Sequence, residues 1–268
     1  MAGFTWEAVE KFIEKSLNSI DSDFQTALDI LKLDPFSSTI QGAIGGTLTS
    51  AVSAVAMSLV SLFFVTQFCT EAMYLRIKTY EDTFKLIFKF FLAKTLVQNA
   101  TGLMGIIYNS FNKITLSLSS QTSSIMKSFD KTAIADKPAN AGLLGFNYVI
   151  ERFQAAPTLL IVRAACWTIS LVLIGRLFEV IVYGLIAPIP LATVAGEGWT
   201  ESAKNFLKGY AAVCLQSLII IVMFNAFNGV SALMAGGAHK LTITVTALAL
   251  ALGVVKSGQW ARTAVGLG

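Results

Sequence analysis

Arg176 and Glu179 stand three residues apart inside an otherwise apolar run, IGRLFEVIVYGLIAPIPLATVAGEGWT. A guanidinium and a carboxylate at that spacing share a helix face. They can pair with each other or hold partners on another helix. At the centre of a membrane-length helix either charge costs roughly 2.5–3.5 kcal/mol on insertion scales, so the helix that carries them faces protein or water. Pro188 and Pro190 follow in the same run. Proline lacks the backbone N–H and restricts the residue before it, which predicts a helix break. Broken backbone at membrane depth must be covered by protein or line water. Lys94 and Arg163 are two more charges embedded in apolar stretches. The chemistry on offer is electrostatic: holding helices together, or lining a path.

Bond-making chemistry has little material. His239 is the only histidine, which leaves almost nothing for a histidine metal site or a Ser/His/Asp triad. No GxxxxGK[ST] occurs, so the chain is not itself a P-loop ATPase. Cys69, Cys166 and Cys214 lie in or at the ends of apolar runs, with no CxxC, and read as small buried hydrophobes. The expectation is a protein that is not an enzyme, with no catalytic, cofactor-binding or metal residues.

The elements that carry these residues follow from composition. Hydrophobic residues make up 54% of the 268 and charged residues 13%. Soluble domains carry about 25% charged residues. The fold expected is all-α: a polytopic helical membrane protein with about five transmembrane helices after an N-terminal amphipathic helix. A net charge of +4 is explained by juxtamembrane lysines and does not by itself argue for nucleic acid.

Four regions are expected. Residues 1–39 hold Phe4, Trp6, Val9, Phe12, Ile13, Leu17 and Ile20 at helical spacing, opposite Glu7, Glu10, Lys11, Glu14 and Lys15. An acidic polar face favours packing on protein over lying on lipid. This segment has no basic n-region or early apolar core, so insertion through internal spans is expected. Residues 40–109 hold two spans, about Ile40–Cys69 and Phe84–Tyr108. In the first, Gly42, Gly46, Ser50, Ala54 and Ser58 recur every four residues. Such a stripe lets helix backbones approach closely in lipid. In the second, Lys85 and Lys89 can snorkel, whereas Lys94 is too deep to do so easily. Residues 110–154 read as an extramembrane loop or subdomain, with helical pieces at 111–129 and 142–153. Residues 155–268 hold a third span from about Pro157 to Ile186, the proline break, a fourth span at about Gly209–Phe227, and a marginal fifth at Leu241–Val255.

Arg76, Lys78, Lys85 and Lys89 around the first turn, with Lys256 and Arg262 in the tail, favour an outside N-terminus and a cytoplasmic C-terminus. Lys113, Lys127, Lys131, Lys137 and Arg152 in the central region oppose this orientation, although long loops obey the rule less well.

Taken in order, the amphipathic start, the small-residue span, FKLIFKFFLAKTLVQNATGLMGIIYN, RLFEVIVYGLIAPIPLATVAGEGWTESAKNFLKGYAAVCLQ and the tail VKSGQWARTAVGLG form a pattern. It resembles the VirB6/TrbL-like conjugal transfer membrane proteins, particularly those of Gram-positive conjugative elements, over most of residues 40–268. The Arg-x-x-Glu run with APIPLAT and the following Trp and NFLK match best. The resemblance implies a multi-copy, ring-like cell-membrane component of a type IV secretion channel. Its implied partners are membrane lipid, a separate VirB4-type ATPase and, transiently, the transferred DNA. It carries over no catalytic residues and no cofactor. The alternative is a small-solute transporter or ion channel, where proline-broken helices with embedded charge also occur. Against it, only Pro188 and Pro190 interrupt a span, and no inverted repeat is visible.

Overall fold

Backbone N–H and C=O groups in so apolar a chain must bond locally, and a helix satisfies them within one segment. In the computed structural model of the chain, every regular element is helical among the residues it describes: 6–44, 46–74, 80–119, 146–196, 200–234 and 240–267. The helices are α1 (Trp6–Lys32), α2 (Ser38–Ile44), α3 (Gly46–Met73), α4 (Tyr80–Gln98), α5 (Ala100–Ser119), α6 (Phe146–Ile186), α7 (Pro188–Ala192), α8 (Thr200–Met234) and α9 (Lys240–Ala264). A 3-10 turn, Thr193–Ala195, follows α7. Phe4, Arg76, Lys78, Lys127, Lys131, Lys137, Trp199 and His239 lie outside the described residues.

Among the described residues, three stretches are long and apolar enough to cross a membrane: Gly46–Met73, Asn147–Ala195 and Thr200–Val230. The pair α4 and α5 makes a fourth if its two helices form one span. The stretch Leu241–Val255 lies in α9 and is not among them; Lys256 and Arg262 follow on the same helix. The second expected span also differs, because α4 and α5 meet at Asn99 with a bend of 68°. There the Asn99 backbone N–H and side-chain Nδ2 both donate to the Thr95 carbonyl, at 3.1 and 2.9 Å. A side chain that competes for a ladder carbonyl is a known cause of bending. Within 110–154, helix is present at both described ends, where helical pieces are expected: α5 continues to Ser119 and α6 begins at Phe146. Pro157 lies inside α6 instead of opening it.

The chain divides into two compact units. The first comprises Met1–Leu33, Ile114–Gly175 and Ser217–Gly258. Its core is built on α1, which buries Val9, Ile13, Leu17, Ile20, Phe24, Leu28 and Leu31 along one face. These pack with Leu159, Val162, Ile169 and Leu173 of α6, Ile220 and Phe224 of α8, and Leu250 and Val254 of α9. Phe24 meets Phe224 edge-on, with ring centroids 4.9 Å apart. Full burial of one such ring is worth roughly 1.5–3 kcal/mol relative to water. Outward, α1 exposes Glu7, Glu10, Lys11, Glu14, Lys15, Asp29 and Lys32. Glu7 and Lys11 pair at 2.9 Å, and the hydrogen bond from Lys11, then its charge, holds the Glu7 carboxyl below its ordinary range.

The second unit comprises Asp34–Lys113, Arg176–Gln216 and Gln259–Gly268. Helix α1 ends just before it, where Asp34 turns the chain by accepting the Phe36 N–H at 2.9 Å. That turn aims Phe36 at Gly184 of α6, where an added Cβ would lie 2.8 Å from the ring. Phe36 also packs on Tyr108, at 6.0 Å between centroids. Helices α3 and α4 rest on α7 and the 3-10 turn. The apolar window of α3 is only 11% buried against 56% for that of α8, so α8 is a core helix and α3 a peripheral one.

The Phe36 notch yields a coupling test. Gly184→Leu overfills it, at a cost of about 1–3 kcal/mol, or roughly 2–10 °C in Tm for a chain of this size. Phe36→Ala reopens the space. Thermal melts in detergent should show the double variant losing less than the sum of the two single losses. Strict additivity would mean that the ring and the glycine do not meet.

Candidate functional site: a buried arginine and an uncovered small-residue stripe

Arg176 is 5% exposed. Helix α6 turns it inward because Leu173, Arg176 and Val180 share its buried face. Its Nε donates to the backbone carbonyl of Val213 on α8, at 3.0 Å. The Tyr108 hydroxyl of α5 hydrogen-bonds to the guanidinium. Tyr210, fully buried one turn before Val213, donates its hydroxyl to the Met104 carbonyl at 2.9 Å and shares a hydrogen bond with Cys214. Three helices, α5, α6 and α8, are therefore joined by one buried polar cluster. It forms no ion pair with a carboxylate among the described residues. A buried cation without a counter-ion costs several kcal/mol unless dipoles satisfy it, and here a carbonyl and two phenols surround it. Such a group holds helices in register.

Glu179 does not pair with Arg176. It turns to Arg262 of α9, 3.6 Å away, and both ends of that pair remain partly exposed. Of the two arrangements open to the Arg-x-x-Glu spacing, partners on other helices are the ones the structure contains. Arg163, in the first unit, pairs with Asp23 of α1 at 3.3 Å and lies over the Trp167 ring at 5.4 Å. Lys94 is half-buried on α4 and makes no ion pair among the described residues.

The proline interruption is narrower than the sequence suggests. Only Ala187 separates α6 from α7, and it keeps helical angles, φ −49 and ψ −38. Pro188 takes the first position of α7, where a missing N–H costs nothing. Pro188 is buried, Pro190 half-buried, and the Pro190 carbonyl accepts the Thr193 hydroxyl at 2.7 Å. Extended angles at Gly196 then end the helical path.

Gly42, Gly46, Ser50, Ala54 and Ser58 are all exposed. An added Cβ at Gly42 or Gly46 would meet nothing within 4 Å. The residues that α3 buries in its own chain are Ala56, Val60 and Gln67, on a different face. No described helix of this chain covers the stripe. Ser50 and Ser58 return their hydroxyls to Thr47 and Val55 of their own helix, at 2.9 and 2.7 Å. Cys69 is exposed near the end of α3, against the expectation of a buried cysteine, because α3 is peripheral; Cys166 and Cys214 are buried.

Sequence reasoning missed Tyr108, Tyr210 and the Asn99 bend. Tyrosines are common at span ends, so their burial around an arginine carries no local signature. Asn99 after Thr95 and Gln98 was the one visible hint of a bend.

The Glu179–Arg262 contact predicts a charge-swap result. Glu179→Arg faces Arg262 with a like charge and should lower Tm in detergent by a few degrees. This matches the ~0.2–1 kcal/mol of a partly exposed pair. Adding Arg262→Glu should restore most of the loss, whereas an uncoupled pair would leave the two effects additive. No known family model, characterised protein or solved structure matches this chain.

Proposed function

We propose that the chain is a multi-copy integral component of the cell membrane that works in a type IV secretion or conjugation machine. There it helps a DNA–protein substrate cross. The observation that supports assembly most is the mixture of outer surfaces within the first unit. Leu160, Trp167 and Leu171 of α6 and Val245 and Leu252 of α9 are exposed and apolar, while α1 exposes a row of charges. Lipid suits the first surface and rejects the second; water does the reverse. A ring of copies with lipid outside and water within accommodates both. The uncovered stripe on α2 and α3 supplies a close-packing face for a neighbouring copy.

The cargo is proposed on the resemblance of RLFEVIVYGLIAPIPLATVAGEGWT to the VirB6/TrbL-like proteins. On this reading the chain is not an enzyme, a VirB4-type ATPase supplies the energy, and contact with DNA is transient. The arrangement has an amphipathic α1 packed on protein and five spans: α3, the α4–α5 pair, α6, α8 and α9. The N-terminus lies outside and the tail in the cytoplasm.

One observation favours the small-solute transporter or ion channel. The bend at Asn99 adds a second interrupted stretch to the one at Ala187, and discontinuous helices are where transporters bind their solutes. The two readings differ in what a variant changes. Gly46→Leu and Ser50→Leu should dissolve a ring seen by image classification of protein purified in mild detergent, and should reduce conjugation frequency about tenfold or more. Arg176→Met, which removes the buried cation but keeps the volume, should reduce transfer at normal protein level. Altered solute flux with normal transfer would instead select the transporter.

Topology is tested separately. Cysteine labels near residue 131 and after Lys256 should report opposite sides of the membrane. Labelling from the same side would exclude the five-span arrangement.

A further inference from the structure

We propose that an anionic phospholipid occupies a groove in the second unit, with its headgroup on Lys204 and Lys208 and an acyl chain in the apolar trough beneath. The proposal rests on the membrane reading above and adds a lipid specificity to it. The trough is lined by Ile107 of α5, Val194 of the 3-10 turn, Ala203, Leu207 and Ala211 of α8, and Val265 after α9. Its volume is about 500 Å³, within the ~300–1,000 Å³ of clefts that hold small ligands.

Both lysines belong to the groove wall, one helical turn apart on α8. Lys204 shares its ammonium with Glu201 at 3.5 Å. Lys208 is half-buried and makes no ion pair among the described residues. The groove also lies at the start of the apolar run Thr200–Val230, just after the polar GEGWTESAKN. That is the headgroup level of a helix entering a bilayer, where cationic side chains meet lipid phosphate.

Charge and shape together select the occupant. A neutral lipid would fill the trough but leave the Lys208 ammonium without a counter-charge. A small soluble anion would neutralise the ammonium but leave the trough uncovered. An anionic phospholipid does both with one molecule.

The test uses the full chain purified in mild detergent and analysed by native mass spectrometry with added phosphatidylglycerol or phosphatidylcholine. Phosphatidylglycerol should be retained about tenfold more than phosphatidylcholine, since each basic residue near a membrane surface favours anionic lipid by a few-fold. Lys204→Gln with Lys208→Gln should abolish the preference, while Lys85→Gln with Lys89→Gln on α4 should keep it. Equal retention of the two lipids by the wild-type chain overturns the proposal without any variant. So does unchanged preference in the Lys204/Lys208 variant. A lipid-independent dimer lost in that variant would assign the groove to a second copy and overturn it too. Protein that stays soluble without detergent would sink the membrane reading itself, an outcome separable from absent lipid preference in a detergent-dependent protein.

Discussion

The charges on α1 constrain everything built on it. One face of this helix is buried against α6, α8 and α9, and the opposite face carries Glu7, Glu10, Lys11, Glu14, Lys15, Asp29 and Lys32 in the open. Removing that row from water would cost several kcal/mol per charge, far more than the apolar face could return. The charged face of α1 suits water and not lipid, although α6 and α8 beneath the helix are long and apolar enough to cross a membrane. Arg163 fits the same logic. It reads as a stray intramembrane charge only until α1 is in place, when Asp23 pairs with it at 3.3 Å; Trp167, one turn on along α6, adds a ring beneath the guanidinium.

The second unit solves a different problem. Arg176 is a charge with no counter-ion among the described residues, stabilised by dipoles fixed on two other helices. Replacing such a group by an apolar side chain of similar volume is often neutral or stabilising. Stability alone therefore does not explain the arginine. Its worth is positional: the α6–α8 register must keep the guanidinium under the Val213 carbonyl, and Tyr210 ties α8 to α5 through Met104. A slip by one turn would strand a buried cation, so the cluster penalises alternative packings more than it rewards the native one.

These two solutions were legible to different degrees. The period of Val9, Ile13, Leu17 and Ile20 is visible in the sequence because one helix face alone determines it. The anomaly of Arg176 and Glu179 is equally visible, since charge in an apolar run stands out against any background. Their partners are not, because Val213 lies thirty-seven residues beyond Arg176 and Arg262 comes from the last helix. No local pattern encodes which helix faces which. The proline run is legible in another way. Its sequence argues for a broken helix, and one helix does end at Ile186, but Pro188 opens a new one after a single residue. The bend at Asn99 coincides with a side-chain amide sharing one carbonyl with its own backbone N–H, a geometry that spacing does not specify.

The small-residue stripe brings these strands together. Its serines bond to their own helix, so their hydroxyls are satisfied even in an apolar medium. The glycines offer no side chain to pack with lipid tails and leave backbone accessible to close approach. Such a face is tolerated by lipid and favoured by another helix, with dispersion the main difference between the two states. That difference is small per atom, so association through the stripe would be reversible for one pair of helices. A closed ring changes the balance, because every copy is then held on two sides and the last contact closes without a further loss of translational freedom. In the ring proposed above, the peripheral α3 would offer its stripe to the next copy while α8 stayed in the core of its own.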